Sequence, residues 1–124
     1  MNILIVDDDN STVKLFEYYL LQFHYSNFES FTDSSKAIAS YSLKEYDIII
    51  TDLQMPQIDG IAFLQKINEI NIELKKKQPY IIVVTGSIVE SLKQKCMEQG
   101  CNEFLVKPVR INNFINAVRN HSKI

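Results

Sequence analysis

The sequence has 124 residues, enough for one domain with a buried core and too few for a second globular unit. We therefore expect a single domain over residues 1–124. Its 13 basic and 15 acidic residues are spread along the chain and leave a net charge of -2. This balance argues against a surface that binds nucleic acid or an anionic membrane.

The sequence also argues against a membrane or export segment. No apolar run approaches the roughly 18 residues of a membrane span, and Met1 leads directly into a strand pattern instead of a signal region. We expect a cytoplasmic protein. Cys96 and Cys101 lack the CxxC spacing and a histidine cluster, so we interpret both as small core side chains without a disulfide or metal.

The first half of the chain alternates strand and helix patterns. Residues 3–6 are an apolar strand, and a second, weaker strand near residues 27–31 suits the edge of a sheet. Asn10 or Ser11 is expected to cap the first helix, and Asp33 the second. The apolar positions of these two helices have helical spacing: Phe16, Tyr19, Leu20 and Phe23, then Ala37, Ile38 and Tyr41.

The second half continues the alternation. Residues 48–50 and 80–84 are β-branched runs typical of strands buried on both faces, and residues 103–106 form a fifth strand. We interpret the lysines at 75–77 as a solvated loop, and Gly100 as a helix end. Helical stripes lie between the strands: Phe63, Leu64, Ile67, Ile70 and Leu74; Val89, Leu92 and Cys96; Ile111, Phe114, Ile115 and Val118. Five strand and helix pairs predict a parallel α/β sheet.

Polar side chains follow four of the predicted strands. They are, in chain order, Asp7, Asp8 and Asp9, then Asp52, Thr85 and Lys107. The carboxyl ends of parallel strands meet at one edge of the sheet, where such folds bind ligands. Two carboxylates about 4 Å apart repel by roughly 4 kcal/mol at an effective dielectric of 20, so a cluster of them favours a bound cation. Oxygen ligands favour Mg²⁺.

With these residues in this order, the chain resembles a response-regulator receiver domain of two-component signalling over essentially its whole length. The resemblance is carried by the acidic triplet, by Asp52 with the turn at Asp59 and Gly60, by Thr85, and by Lys107 and Pro108. It implies a flavodoxin-like fold with strand order 2-1-3-4-5 and helices on both faces. It also implies that Asp52 accepts a phosphoryl group from a phosphohistidine.

The resemblance implies a role for each matching residue. Asp8 and Asp52 would bind Mg²⁺ directly, Asp7 through water, and the backbone carbonyl of Gln54 would be the third protein ligand. Asp9 matches a variable position, which we interpret as solvated or as helping the next helix to start. Thr85 would be the switch hydroxyl, and Lys107 the cation that pairs with the phosphoryl group. Pro108 would follow a cis peptide bond.

Three departures from the family pattern concern regulation. Gly86 follows the switch threonine where alanine is common. Phe104 holds the aromatic switch position where tyrosine is frequent, so it can rotate inward but offers no hydroxyl to a partner. Gln54 and Ser87 lie at variable positions that tune how fast the aspartyl phosphate hydrolyses in this family, so the phosphoryl lifetime stays open.

The implied partners are a histidine kinase or a histidine phosphotransfer protein, and a downstream partner at the face of helix four, strand five and helix five. We expect no enzyme activity beyond self-catalysed phosphotransfer and autodephosphorylation. A stand-alone regulator, a receiver excised from a hybrid kinase and a truncated DNA-binding regulator all stay open. Two further alternatives stay open. One is a Mg²⁺-dependent phosphohydrolase with an aspartate nucleophile, although Asp52-Leu53-Gln54 lacks the DxD pattern of such enzymes. The other is a degenerate receiver that acts by binding alone.

Overall fold

The computed structural model describes residues 1–55, 58–87 and 89–123; Pro56, Gln57, Ile88 and Ile124 lie outside these ranges. Five strands alternate with five helices: β1 (Ile3–Val6), α1 (Asn10–Gln22), β2 (Phe28–Phe31), α2 (Ser34–Leu43), β3 (Ile48–Asp52), α3 (Gly60–Leu74), β4 (Tyr80–Thr85), α4 (Glu90–Glu98), β5 (Glu103–Val106) and α5 (Ile111–Asn120), followed by a short 3₁₀ turn at His121–Lys123. Among the described helices, none combines the length and apolar character needed to span a bilayer.

All five strands pair in parallel in the order β2-β1-β3-β4-β5, as the resemblance implied. β3 is central, and its Thr51 pairs with Val6 of β1 and with Val83 of β4. This register brings the carboxyl ends of β1, β3 and β4 to the same level. β2 lies at one edge, as its weak pattern predicted, and each of its residues is only half-buried.

Helices cover both faces of the sheet, because successive strand side chains point to opposite sides. Ile49 packs in one core cluster with side chains of α2, α3 and α4. Ile48 and Ile50 pack in the other with side chains of α1 and α5. The three isoleucines of β3 are at most 1% exposed, which confirms a strand buried on both faces.

Aspartates cap the first three helices. Asp33 accepts the backbone N–H groups of Ser35 and Lys36, as predicted. The prediction that Asn10 or Ser11 caps α1 was wrong: Asp9 does so, and its carboxylate accepts the N–H and the hydroxyl of Ser11. The first turn offers N–H groups that a carboxylate one position earlier can reach. The alternative that Asp9 helps the helix to start is therefore confirmed.

The end of α4 is closed around Gly100, whose φ is 94°. Cys101 N–H donates to the Cys96 carbonyl and Gly100 N–H to the Met97 carbonyl, the pattern of a Schellman motif. Both cysteines are free and buried, which confirms them as core side chains. At the other end of α4 the predicted stripe was wrong: Val89 precedes the helix and is 44% exposed.

The lysine run after α3 is not uniformly solvated. Lys75 and Lys77 are exposed, but the Lys76 side chain is only 8% exposed and lies over the ring of Tyr41. Its ammonium donates to the Lys44 carbonyl and to Glu45. The predicted solvated loop was therefore wrong at Lys76, because a long apolar stem can pack on an aromatic ring while its charged end stays paired. Leu74, assigned to the α3 stripe, is half exposed.

Candidate functional site

Three aspartates meet at the carboxyl edge of the sheet. A carboxylate oxygen from each of Asp7, Asp8 and Asp52 lies within 4.8 Å of the others. Asp7 follows β1 and Asp52 ends β3, and these strands are neighbours, so the register alone brings the two together. Asp7 and Asp52 are buried, whereas Asp8 is exposed at the mouth of the cluster. The predicted acidic site is therefore present.

Lys107 reaches this cluster from the loop after β5. Its ammonium donates to Asp7 Oδ2 at 3.0 Å and lies 3.7 Å from Asp52 Oδ2. The Lys107 N–H donates to the Thr85 carbonyl at 2.7 Å, which ties the loop to the end of β4. The peptide bond between Lys107 and Pro108 is cis, as the resemblance implied. One cation thus bridges two of the acids.

Asp7 is held by protein donors on both of its oxygens. Oδ1 accepts the backbone N–H of Asp9 at 2.9 Å, and Oδ2 accepts the ammonium of Lys107. These two hydrogen bonds occupy one lone pair on each oxygen of Asp7 and fix its carboxylate.

Burial and like charges perturb the ionisation of the site. Desolvation by burial, the largest cause, and the charge of Asp7 together raise the pKa of Asp52 to about 6, although the Lys107 ammonium acts to lower it. Desolvation also raises the pKa of Asp7. Burial acts to lower the pKa of Lys107, but its hydrogen bond to Asp7 and the surrounding carboxylates outweigh burial and leave that pKa raised. The site thus holds more negative charge than one lysine neutralises.

The acid cluster fits a hard divalent cation. Mg²⁺ binds oxygen at 2.0–2.1 Å, so two ligand oxygens on one ion are separated by about 3–4 Å. The oxygens of the three carboxylates, within 4.8 Å of one another, lie close to that separation, and every donor atom in the cluster is an oxygen. Gln54 is exposed beside the cluster, and its backbone N–H approaches Asp52 Oδ1 at 3.4 Å. Its carbonyl as a metal ligand stays a prediction.

Thr85 and Phe104 lie on neighbouring strands, β4 and β5. Thr85 ends β4 and is 1% exposed, and its hydroxyl accepts the Ser87 N–H only at 3.5 Å. Phe104 in β5 pairs with Val83 and packs half-buried against the core on the α3 and α4 side. Gly86 and Ser87 are exposed. Within the described ranges, this long contact is the one hydrogen bond of the Thr85 hydroxyl.

Two contacts around the site were missed by the sequence analysis. Thr12 joins the α1 cap by donating its hydroxyl to Asp9. Tyr19, assigned only to a core stripe, donates its hydroxyl to the carbonyl of Val109 at 2.8 Å. Helical spacing predicts which face of Tyr19 is buried but carries no signal for a partner 90 residues away.

Known proteins resemble this chain over nearly all of its length. The sequence profile described as "Response regulator receiver domain" matches residues 3–119. Hybrid signal transduction histidine kinase B of Dictyostelium discoideum is 32% identical over 128 residues, covering 96% of this chain and 6% of the kinase. Transcriptional regulatory protein ResD of Bacillus subtilis is 34% identical over 106 residues, covering 86% of this chain and 41% of the regulator. The chain thus spans less than half of either relative.

Solved structures show the same fold. The co-crystal structure of the Saccharomyces cerevisiae histidine phosphotransfer protein Ypd1 with the receiver domain of its downstream response regulator Ssk1 matches with a TM-score of 0.87 and 22% identity, covering 97% of this chain and 87% of the matched chain. Chemotaxis protein CheY4 of Vibrio cholerae matches with a TM-score of 0.85 and 24% identity over 96% of each chain. Because the family profile also covers nearly every residue of the sheet and its acidic edge, this protein belongs to the response regulator receiver domain family of two-component signalling.

Proposed function

We propose that Asp52 accepts a phosphoryl group in a Mg²⁺-dependent reaction and that residues 1–124 act as one receiver domain. The observation that carries this proposal is the placement of Asp52. It is a buried carboxylate at the end of the central strand, 3.7 Å from the Lys107 ammonium and clustered with two further acids. A nucleophile, a cation and a metal-binding pair of carboxylates are the groups that phosphoryl transfer requires.

The chain's own residues account for the transfer step. An oxygen of the Asp52 carboxylate attacks phosphorus in line with the leaving group, a P–O bond forms, and the P–N bond of phosphohistidine breaks with its electron pair on the imidazole nitrogen. With a pKa of about 6, Asp52 is mostly ionised at neutral pH, so it needs no general base. The Lys107 ammonium stabilises the charge of the phosphoryl oxygens.

A bound Mg²⁺ would neutralise the acids and the incoming phosphoryl oxygens. Asp8, Asp52 and the backbone carbonyl of Gln54 would hold it, and Asp7 would act through water. The hydrogen bonds on both oxygens of Asp7 support this division between the acids.

Thr85 and Phe104 form the proposed switch. On phosphorylation the Thr85 hydroxyl would turn to the new phosphoryl oxygens, and Phe104 would move into the space it leaves, which changes the face of α4, β5 and α5. The 3.5 Å length of the hydrogen bond between the Ser87 N–H and the Thr85 hydroxyl supports this, since a long contact restrains the hydroxyl weakly. Gln54 and Ser87 are both exposed at the site and would tune the phosphoryl lifetime.

The proposed phosphodonor is a histidine kinase or a histidine phosphotransfer protein, and the proposed compartment is the cytoplasm. The yeast structure supports the donor, since there a histidine phosphotransfer protein is crystallised with a receiver domain. The proposed activity is limited to self-catalysed phosphotransfer and autodephosphorylation.

The test is the intact mass of the protein after incubation with acetyl phosphate and Mg²⁺. We expect one added phosphoryl group in the wild type and none in Asp52→Asn or in the presence of EDTA. The exposed acid Glu73, in the last turn of α3, provides a control, since Glu73→Gln should be phosphorylated like the wild type. Steady release of phosphate without an adduct would instead indicate a phosphohydrolase, and no reaction would indicate a receiver that acts by binding alone.

A further inference from the structure

The loop between β5 and α5, residues 107–110, positions the cation of the site. Besides the bond from its Arg110 carbonyl to the first turn of α5, its backbone makes two hydrogen bonds to distant elements among the described residues. Lys107 N–H donates to the Thr85 carbonyl at 2.7 Å, and the Val109 carbonyl accepts the Tyr19 hydroxyl at 2.8 Å. Pro108 between them has no N–H to donate. The two hydrogen bonds therefore lie on either side of the Lys107–Pro108 peptide bond.

Tyr19 contacts the loop from a different element than Thr85, which lies in β4. It lies in α1, and its ring packs against Phe16 and Phe114 with centroids 6.4 and 5.4 Å away. These contacts fix the ring, so its hydroxyl is aimed by the core instead of being free to rotate away. Val109 itself is 6% exposed. A buried carbonyl that loses its donor is costly, so the contact constrains the loop.

The first turn of α1 also determines where the acids lie. Asp9 caps the helix with its carboxylate, and its backbone N–H holds Asp7. The same helix thus contacts the acidic loop at its start and the lysine loop in its last turn. Tyr19 is nine positions after Asn10, or about 14 Å further along the helix.

We propose that Tyr19 is a positioning residue: its hydroxyl bond to Val109 holds the Lys107 ammonium over Asp7 and Asp52. The inference rests on the proposed phosphoryl-accepting function and adds to it a residue outside the site. In the part of the chain that the structure describes, the Tyr19 hydroxyl bonds to the Val109 carbonyl and to none of the acids, so Tyr19 acts through the loop.

The proposal predicts two effects of opposite sign. A loosely held Lys107 would stabilise the phosphoryl oxygens less well, so transfer would slow. The same lysine competes with a divalent cation for the charge of Asp7 and Asp52, so its retreat would strengthen Mg²⁺ binding. A variant that merely loosens the fold would weaken both.

The test is Tyr19→Phe, which removes one oxygen and keeps the ring contacts. Tyr18→Phe is the matched control, since Tyr18 is the next residue on the helix and is 55% exposed. For Tyr19→Phe we expect phosphorylation by acetyl phosphate to slow about threefold to tenfold, as the loss of one hydrogen bond allows. Calorimetric titration of the metal-free protein with Mg²⁺ should show affinity at least about twofold higher. Tyr18→Phe should match the wild type in both.

A double-mutant cycle separates positioning from stability. In a Lys107→Ala background, Tyr19→Phe should leave Mg²⁺ affinity unchanged, because the cation through which it acts is gone. The inference would be overturned if Tyr19→Phe still changed Mg²⁺ affinity in the Lys107→Ala background. It would also be overturned if Tyr19→Phe lowered the phosphorylation rate, the Mg²⁺ affinity and the melting temperature together, or if it matched the wild type. If the wild type is not phosphorylated but Tyr19→Phe still binds Mg²⁺ more tightly than the wild type, the proposed function fails and the positioning role stands.

Discussion

A buried carboxylate beside a second carboxylate destabilises a fold when it is ionised. Asp52 is in this situation, and burial with the charge of Asp7 raises its pKa from 3.8 to about 6. Between these two values the folded protein binds more protons than the unfolded chain. Stability therefore falls as pH rises through this window and stays lowered above it.

Replacing Asp52 by Asn should stabilise the metal-free protein at pH 7.5 by about 1–3 kcal/mol, because it removes a charge that burial disfavours. The gain should shrink as pH falls from 6 toward 4, where the wild-type carboxyl is protonated in the folded state. Urea unfolding of both proteins with EDTA across this range would measure it. Exposed Glu73→Gln should show no such gain, and a gain for Asp52→Asn that is constant with pH would contradict the electrostatic cause.

At this scale the sequence predicted the members of the site but not their supports. Asp7, Asp8, Asp52, Thr85 and Lys107 could be found because each follows a strand, and parallel strands bring their ends together. Hydrogen bonds such as Tyr19 to Val109 depend on side-chain placement between distant elements. No local pattern encodes that placement.

The connection between β3 and α3 shows how an element boundary shapes the site. Gly60 N–H donates to the Leu53 carbonyl at 2.7 Å, which brings the start of α3 against the residue that follows Asp52. A Cβ on Gly60 would lie 2.6 Å from Leu53 Cα and 2.9 Å from its carbonyl oxygen. Both are backbone atoms, so the connection rather than a side chain would have to move.

Gly60→Ala should therefore destabilise the protein by about 2 kcal/mol or more, through overpacking against backbone. Gly86→Ala is the matched control next to Thr85, because nothing lies within 4 Å of its Cβ position. It should be neutral or stabilising by less than about 1 kcal/mol, since alanine restricts the unfolded chain. Urea unfolding compares the two. Equal effects would show that the close approach at Gly60 does not limit the connection.

The sequence predicted the types and order of the helices and strands, but it predicted their first and last residues less accurately. Alternating β-branched runs and helical stripes distinguish strands from helices because the two have different periods. A cap depends on which side chain reaches the free N–H groups, which is why Asp9 rather than Asn10 or Ser11 begins α1. The packing of Lys76 on Tyr41 could not be predicted either, since a run of lysines has the same polar sequence pattern wherever the apolar parts of the side chains pack.

For the whole molecule, the strand order follows from the family resemblance, and right-handed crossovers between parallel strands restrict the alternatives. The proposed output is a shift between two states of this single unit. Lys107 N–H bound to the Thr85 carbonyl joins β4 and β5 at their carboxyl ends, so a change at Thr85 reaches the strand that carries Phe104. We expect coupling through packed neighbours of this kind to move α4, β5 and α5 together.

Thr85→Ala should leave phosphorylation of Asp52 within about threefold of the wild type while reducing the response of the α4, β5 and α5 face, because a switch hydroxyl biases the population but is not the nucleophile. Amide chemical shifts with and without beryllofluoride and Mg²⁺ would measure the response. Thr32→Ala, at an exposed threonine far from Asp52 in the chain, should respond like the wild type. Full shift changes in Thr85→Ala would exclude the switch role.

The closed end of α4 has a practical consequence. Both cysteines of the chain lie inside the core, at 0% and 4% exposure, and burial raises the pKa of each thiol. Thiolates are the reactive form, so neither native sulfur competes well for a maleimide reagent. A single cysteine introduced on the exposed surface of α4 or α5 would carry a spectroscopic label at one known position, with the native thiols left in place.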